Sequence, residues 1–203
     1  MNTSHTLPTL TGQFVNLRPL VVEDAEMTFV WRQGARAALL NQGAQTVEQQ
    51  ADWISMRPST EYNFIIETKQ HCPIGMLSLI GVDPVAGLGE SARFLIGNEE
   101  SAKGLPAAAE AMKLLYQLAF DVLKLQRVWG MVASDNRRMV KWQLYLGMTQ
   151  EGRLRNHLFI NGRHQDAVVL GLLESEYRSG GLPKLNSLVG TASLPTTRSN
   201  PSE

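Results

Sequence analysis

The chain has 203 residues, of which 43% are hydrophobic and 19% are charged. This balance is typical of a globular protein and excludes an intrinsically disordered chain. The 19 basic residues are matched by 19 acidic ones, so the net charge is zero. No overall positive field is therefore available to hold nucleic acid or an anionic membrane, and we expect neither partner. The single cysteine, Cys72, excludes an internal disulfide framework and a cysteine-rich metal site.

The two ends of the chain differ in composition from the part between them. Residues 1–12 are polar and lack the apolar core of a signal peptide, so they are predicted to form a flexible leader. Ser, Gly, Pro, Thr and Asn dominate residues 178–203, which predicts a disordered tail. Residues 13–177 are predicted to form a single domain. No apolar run approaches the roughly 18–20 residues that span a bilayer, so we expect a cytoplasmic protein.

Strands and helices are predicted to mix along this domain. The first half of the pattern predicts a strand, two helices and a two-stranded hairpin, over residues 13–20, 23–31, 46–56, 61–68 and 73–82. The second half predicts a strand, a helix, a strand, a helix and two strands, over residues 90–96, 106–123, 127–133, 134–147, 151–160 and 167–173. This order predicts a mixed α/β sandwich with a parallel, right-handed strand–helix–strand unit.

A glycine turn inside that unit carries the most chemical information. It reads Lys103-Gly104-Leu105-Pro106-Ala107-Ala108 and opens directly into the following helix. Backbone N–H groups in such a turn point at one spot, and the helix dipole adds positive potential there. The turn therefore predicts a site for a phosphate or pyrophosphate, such as that of coenzyme A (CoA). The alternative is a plain turn before a helix.

Several segments, in this order and spacing, match one known family. They are Asn16-Leu17-Arg18-Pro19, Glu23-Asp24-Ala25, Trp31-Arg32, Glu90 to Gly97, Gly104 to Ala111, Asn136, Gly147 and Glu151-Gly152. Together they resemble the GNAT superfamily of N-acetyltransferases, in the branch with ribosomal-protein-alanine, polyamine and nucleotide-amino-sugar acetyltransferases. The resemblance covers almost all of the predicted domain. It implies a central, mostly antiparallel sheet with helices on both faces, and acetyl-CoA as the acyl donor.

The resemblance also assigns the residues that bind CoA. The backbone of the strand end, at Phe94, Leu95 and Ile96, would pair with the pantetheine arm. The turn would bind the pyrophosphate through Lys103, Gly104, Leu105, Ala107 and Ala108. Asn136 matches a family asparagine that hydrogen-bonds CoA, although a simple helix N-cap is the alternative.

Two positions of the turn depart from the family pattern. Ser101 stands where the family usually has Gln or Arg, and Pro106 has no N–H to donate. The loss of one donor is worth about 0.5–1.5 kcal/mol, and the charge of Lys103 can compensate for it. We therefore expect weaker binding of CoA rather than none.

Amide formation needs a base for the amine and a way to accommodate the leaving thiolate. Glu90, at the start of the strand that lines the cleft, is predicted to be the base, directly or through water; the alternative is a solvated glutamate. Many family members carry a tyrosine acid at the position of Gln143, and glutamine cannot supply a proton of useful acidity. Ser134 and Tyr116 are weak candidates for that role, more typical of a cap and a core residue.

The acceptor is predicted to be a primary amine on a small molecule, with a nucleotide-linked amino sugar as the leading candidate. Trp31, Arg32 and Arg155 would bind it, with arginines contacting a diphosphate; the alternative is that these arginines are surface residues. A protein N-terminus is the alternative acceptor, and a non-catalytic CoA-binding module is the alternative function. The four histidines show no metal-ligand spacing, so no metal is expected. Dimers are common among such folds, which allows a homodimer by analogy.

Overall fold

The structure is a computed structural model that describes residues 8–40 and 43–191. Its strands are β1 (Leu10–Thr11), β2 (Val15–Pro19), β3 (Tyr62–Thr68), β4 (Pro73–Asp83), β5 (Leu88–Ile96), β6 (Arg127–Ala133), β7 (Thr149–Ile160) and β8 (Arg163–Leu173). Its helices are α1 (Ala25–Gln33), α2 (Val47–Ser55), α3 (Glu99–Ala102), α4 (Ala107–Gln117), α5 (Arg137–Tyr145), α6 (Glu174–Glu176) and α7 (Leu182–Gly190). Short turns of 3₁₀ or π type occupy Val22–Asp24, Ala35–Ala37, Leu118–Val122 and Tyr177–Gly181.

The eight strands form one sheet in the order β1-β2-β3-β4-β5-β6-β8-β7. Neighbouring strands are antiparallel except for β5 and β6, which are parallel and are joined by a crossover through α3 and α4. The mixed fold and its parallel unit are therefore confirmed. Within the described residues, no helix is long and apolar enough to cross a membrane.

Both faces of the sheet are covered, because the central strands alternate between two cores. On one face, Phe64, Ile66 and Leu77 pack into a large cluster that includes the buried side of α4. On the other face, Ile65 and Met76 pack into a smaller cluster that includes residues of α1 and α2. A strand buried on both faces has little polar alternation, which is the pattern of β3 and β4.

Two predictions about the chain ends were wrong where the structure describes them. The predicted disordered tail contains α7, and its Leu185 and Val189 lie buried in the large core. Their spacing of four places both on one helix face, but the Ser and Gly content of the segment obscured this period. The predicted leader contains β1, whose Leu10 pairs with Leu17 of β2. Residues 1–7 and 192–203 lie outside the described part of the chain.

Candidate active site

The site lies where β5 and β6 separate. The two strands pair over three positions, from Leu88 with Arg127 to Glu90 with Trp129, yet each strand continues beyond them. Pairing of β5 with β4 is also irregular, because the register shifts twice: between Leu88 and Glu90, and between Ala92 and Leu95, where Arg93 lies. A β-bulge bends its strand, and bulges are common beside active sites. The result is an opening in the centre of the sheet, bounded by the free edge of β5.

Arg93 holds the bulge in place. Its φ of 57° lies in the left-handed region, which is uncommon for a residue with a side chain. The guanidinium donates to both carboxylate oxygens of Glu61, at 2.6 and 3.2 Å, and to Asn63 Oδ1 at 2.9 Å. It also lies over the ring of Trp53, 5.0 Å from the ring centre. These contacts fix the guanidinium at the wall of the opening.

Two cavities meet in the opening. The Glu90 cavity has a volume of about 570 Å³, and its lining includes Arg32, Trp53, Glu90, Arg93 and Gln143. The Ile96 cavity has a volume of about 640 Å³, and its lining includes Leu95, Ile96, Leu105, Ala107 and Ala108. Leu40, Phe94, Asn136 and Met139 line both cavities and mark their junction. Both volumes lie within the range of about 300–1,000 Å³ that is typical of ligand pockets.

Glu90 is half-buried at the wall of its cavity. Burial raises the pKa of its carboxyl group, the positive charge of Arg93 opposes that rise, and the negative charge of Glu61 adds to it. A carboxylate whose pKa is raised in a cavity is better matched to accepting a proton near neutral pH. The geometry is thus suited to the predicted role of Glu90 as a base.

The predicted phosphate turn has an unexpected start, because the short helix α3 precedes it. The N–H groups of Lys103 and Leu105 donate to carbonyls of α3, at 3.2 and 3.1 Å, so they do not point to an outside anion. Gly104 has a φ of 79° and needs the freedom of glycine. Pro106, the N-cap of α4, makes no side-chain cap. The N–H groups of residues 107–109 are the ones that an α-helix leaves without an internal acceptor.

Asn136 is the N-cap of α5, because its Oδ1 accepts from the backbone N–H of Met139 at 3.2 Å. The same residue lies at the junction of the two cavities. Capping uses the side-chain oxygen and leaves Nδ2 as a donor. Asn136 can therefore cap α5 through Oδ1 and still offer Nδ2 as a hydrogen-bond donor to a ligand such as CoA.

Gln143 lies in α5 one turn beyond Met139 and is 5% exposed. Its Oε1 accepts from the hydroxyl of Tyr116 at 3.3 Å, and its Nε2 lies 3.9 Å from Met139 Sδ. Tyr116 itself is fully buried and does not line either cavity. Burial raises the pKa of the Tyr116 hydroxyl, which makes it a poorer acid.

The three residues predicted to bind the acceptor lie in different places. Arg32 lines the Glu90 cavity, where burial lowers the pKa of its guanidinium and the charge of Arg93 lowers it further. Trp31 lines neither cavity and packs instead over Gly97, where a Cβ would lie 2.2 Å from the indole ring. Arg155 is exposed on β7 and lines neither cavity. Sequence reasoning gave no role to Arg93, although it stands inside a matched motif.

Among the described residues, no group of three or more His, Cys, Asp or Glu side chains is placed to hold a metal ion. The polar groups that converge on the two cavities are a carboxylate, guanidiniums, amides and the open end of a helix. The start of α4 can bind an anionic ligand in the Ile96 cavity, and the carboxylate of Glu90 can accept a proton in the Glu90 cavity.

A sequence profile of the acetyltransferase (GNAT) domain matches residues 15–149, which is more than half of the chain. The protein belongs to the GNAT family. The matched residues include β5, the turn, α4 and α5, and with them the lining of both cavities except Leu158 of the Glu90 cavity. The family suspected from the short segments is confirmed. GNAT acetyltransferases use acetyl-CoA as the acyl donor.

Two relatives of this chain carry names that refer to different acceptors. A spermidine N(1)-acetyltransferase of Vibrio cholerae is 30% identical over 119 residues, covering 59% of this chain and 67% of the relative. A Bacillus subtilis protein, YdaF, provisionally named a ribosomal N-acetyltransferase, is 34% identical over 103 residues. That match covers 51% of this chain and 55% of YdaF. The chain thus matches only about half to two thirds of these relatives' length.

A solved GNAT structure supports the fold. The spermidine N-acetyltransferase of Vibrio cholerae in complex with CoA and spermine superposes with a TM-score of 0.72. The match covers 81% of this chain and 98% of that one, at 22% sequence identity. At this identity the similarity concerns the fold alone.

Proposed function

We propose that the protein is an N-acetyltransferase that moves the acetyl group of acetyl-CoA directly onto a primary amine while both substrates are bound. The supporting observation is the pair of cavities that meet at Phe94, Asn136 and Met139. One runs from the separated edge of β5 to the start of α4, and the other contains Glu90. A donor and an acceptor placed in the two cavities would meet at their junction.

The residues around the Ile96 cavity fit the donor. The backbone of Phe94, Leu95 and Ile96 lies at the edge of β5 that β6 leaves unpaired, and an extended pantetheine arm can pair with such an edge. The uncapped first turn of α4 offers N–H donors and a positive dipole to a pyrophosphate. The turn adds the positive charge of Lys103, while Gly104 provides its left-handed backbone. When bound, acetyl-CoA supplies an activated acetyl thioester.

Glu90 is the proposed base, directly or through a water molecule. An amine is a nucleophile only after it loses its proton, and the raised pKa of Glu90 improves its match to that task. The positive charge of Arg93 opposes this rise in the pKa of Glu90. The backbone N–H groups of the β5 edge are placed to stabilise the thioester oxygen as it gains charge.

The acceptor is proposed to carry an anionic group, as a nucleotide-linked amino sugar does. Among the described charged residues that line the Glu90 cavity, Arg32 and Arg93 are cationic and Glu90 is acidic. Guanidiniums bind phosphate oxygens in a bidentate manner, whereas a polyamine would find one acidic side chain, Glu90, among the described lining residues. This charge balance favours an anionic acceptor over the spermidine used by the Vibrio cholerae relative.

An acetyl-transfer assay on a panel of amines tests this function. The panel contains nucleotide-linked amino sugars, free amino sugars, spermidine and peptides with free N-termini. We expect the nucleotide-linked amino sugars to react best. As the pH is lowered, kcat/KM should fall with an apparent pKa above the ordinary glutamate value of about 4.3, because the pKa of Glu90 is raised. Preference for spermidine would contradict the anionic acceptor, and preference for peptides would favour protein N-termini.

The variant Glu90→Gln tests the base. It should lower kcat by about 10²–10⁴-fold while the affinity for CoA stays unchanged, because the residue acts on the acceptor. Glu23→Gln, a change of an exposed carboxyl far from both cavities, is the matched control. Equal kcat in the Glu90→Gln variant would exclude the proposed base. CoA binding without turnover on any amine would indicate a non-catalytic module.

A further inference from the structure

Gln143 occupies a position that the base and the acceptor contacts leave unexplained. It is a buried amide at the wall of the Glu90 cavity, on the same face of α5 as Met139, which lies where the two cavities meet. The oxygen and the nitrogen of its side-chain amide have different neighbours. Oε1 accepts from the Tyr116 hydroxyl, whereas Nε2 has the Met139 sulfur, at 3.9 Å, as its neighbour.

The Tyr116 contact fixes the orientation of the amide. In the structure the hydroxyl donates to Oε1, so Oε1 faces Tyr116 and Nε2 lies on the other side of the amide. Nε2 is thereby directed toward the sulfur of Met139 and the junction of the cavities. A thioether is a weak acceptor, so a better acceptor at the junction would replace it at little cost.

We propose that Gln143 Nε2 donates a hydrogen bond to the sulfur of CoA as it becomes a thiolate, and that Tyr116 acts as a positioning residue by fixing the amide. This inference rests on the proposed acetyl transfer. A hydrogen bond to a charged acceptor is stronger than one to a neutral acceptor, so the donor favours the transition state over the thioester. Gln143 thus stabilises the leaving group without protonating it.

The proton and electron balance is complete without an acid. The N–C bond forms and the C–S bond breaks, and the electron pair of that bond stays on sulfur. A protonated amine loses two protons: the first passes to Glu90 and then to solvent before attack, and the second leaves the nitrogen by the same route as the amide forms. Solvent returns one proton to the thiolate after release, so one proton is released overall. Tyr116 is excluded as the acid because it is buried away from both cavities and its hydroxyl already donates to Gln143.

The pKa of the CoA thiol in the complex is a direct readout that does not need turnover. It is measured from the ultraviolet absorbance of the thiolate as a function of pH, for wild type, Gln143→Met and Gln143→Glu. Free thiols titrate near about 8.5, and a hydrogen bond to the charged form should lower the value in the wild-type complex by about 1–2 pH units. Gln143→Met, of similar size, should abolish this decrease. Gln143→Glu should raise the thiol pKa by charge repulsion.

The variant Tyr116→Phe tests the positioning role. It should reverse part of the decrease in thiol pKa and lower kcat, while KM for acetyl-CoA stays within about twofold. Tyr62→Phe, a half-buried tyrosine on β3, is the matched control and should change neither quantity.

The outcomes separate this inference from the proposed function. An unchanged thiol pKa in the wild-type complex, or equal values in wild type and Gln143→Met, would overturn the role of Gln143 alone. A lowered thiol pKa without turnover on any amine would overturn the catalytic function and leave the sulfur contact in place. Failure of the wild-type protein to bind CoA would overturn both.

Discussion

Glu110 ties the first strands of the sheet to α4. Its buried carboxylate accepts the backbone N–H groups of Gln13, Phe14 and Val15, at 2.5, 2.6 and 2.7 Å. These are charge-assisted hydrogen bonds, and those from Phe14 and Val15 are buried, where such a bond is worth more than an exposed one. A single side chain therefore links residues almost a hundred positions apart in sequence.

Replacing Glu110 by Gln should destabilise the protein by about 2–3 kcal/mol. The amide keeps one acceptor oxygen and turns an NH₂ group toward a backbone donor, which leaves a buried N–H without a partner. The free energy of unfolding, measured with urea, checks this expectation. Glu26→Gln, an exposed carboxyl, is the control and should change stability by less than about 0.5 kcal/mol. Equal stability of the two variants would contradict the role of Glu110.

Single residues differ in how well the sequence predicted their positions. Glu90 and Asn136 were predicted from their places in matched motifs, and the structure puts both at the walls of the cavities. Trp31 was predicted beside the acceptor, yet its ring is used to cover Gly97. The role of Arg93 depends on a bulge and on partners about thirty residues away, and no local pattern in the sequence contains that information.

At the level of elements, the turn before α4 is the main candidate for binding phosphate. Gly104 has a left-handed backbone with open space around it, so a side chain there is disfavoured by conformation rather than by collision. Gly81 has the same two properties, with a φ of 56°, but it lies on β4 and lines neither cavity. Substituting each glycine in turn therefore distinguishes an effect on protein stability from an effect on acetyl-CoA binding.

Gly104→Ala and Gly81→Ala should each lower stability by about 1 kcal/mol, the typical cost of a left-handed residue with a Cβ. Only Gly104→Ala should also weaken acetyl-CoA binding, by about tenfold or 1.4 kcal/mol, because relief of its strain displaces the start of α4. Isothermal calorimetry with both variants gives the affinities. Unchanged binding by Gly104→Ala would remove the turn from the donor site.

The sequence predicted element types better than it predicted element ends. Residues 127–133 were predicted as a strand and form β6 with the same limits, since a continuous apolar run is distinctive. The helix predicted over residues 106–123 is α4 followed by a π-type turn. The helix α7 was missed because its stability comes from the contacts of Leu185 and Val189 with the core, not from its own composition.

For the whole molecule, function depends on the interruption of one sheet. Eight strands form a continuous structure, yet two neighbours pair over only three positions before they separate. The order of elements predicted that these two strands are parallel, but the length of their pairing depends on the bulge at Arg93 and on packing around it. The two cavities are consequences of this geometry, and the sequence did not give their shapes.

Calorimetric titration of the purified protein with acetyl-CoA, and separately with CoA, tests the central claim most directly. Glu90, Gln143 and the arginines of the acceptor cavity have their proposed roles only if the donor occupies the Ile96 cavity. We expect binding near micromolar, about −8 kcal/mol, with a small loss from the missing N–H of Pro106. The absence of detectable binding to either compound would contradict the proposed acetyltransferase.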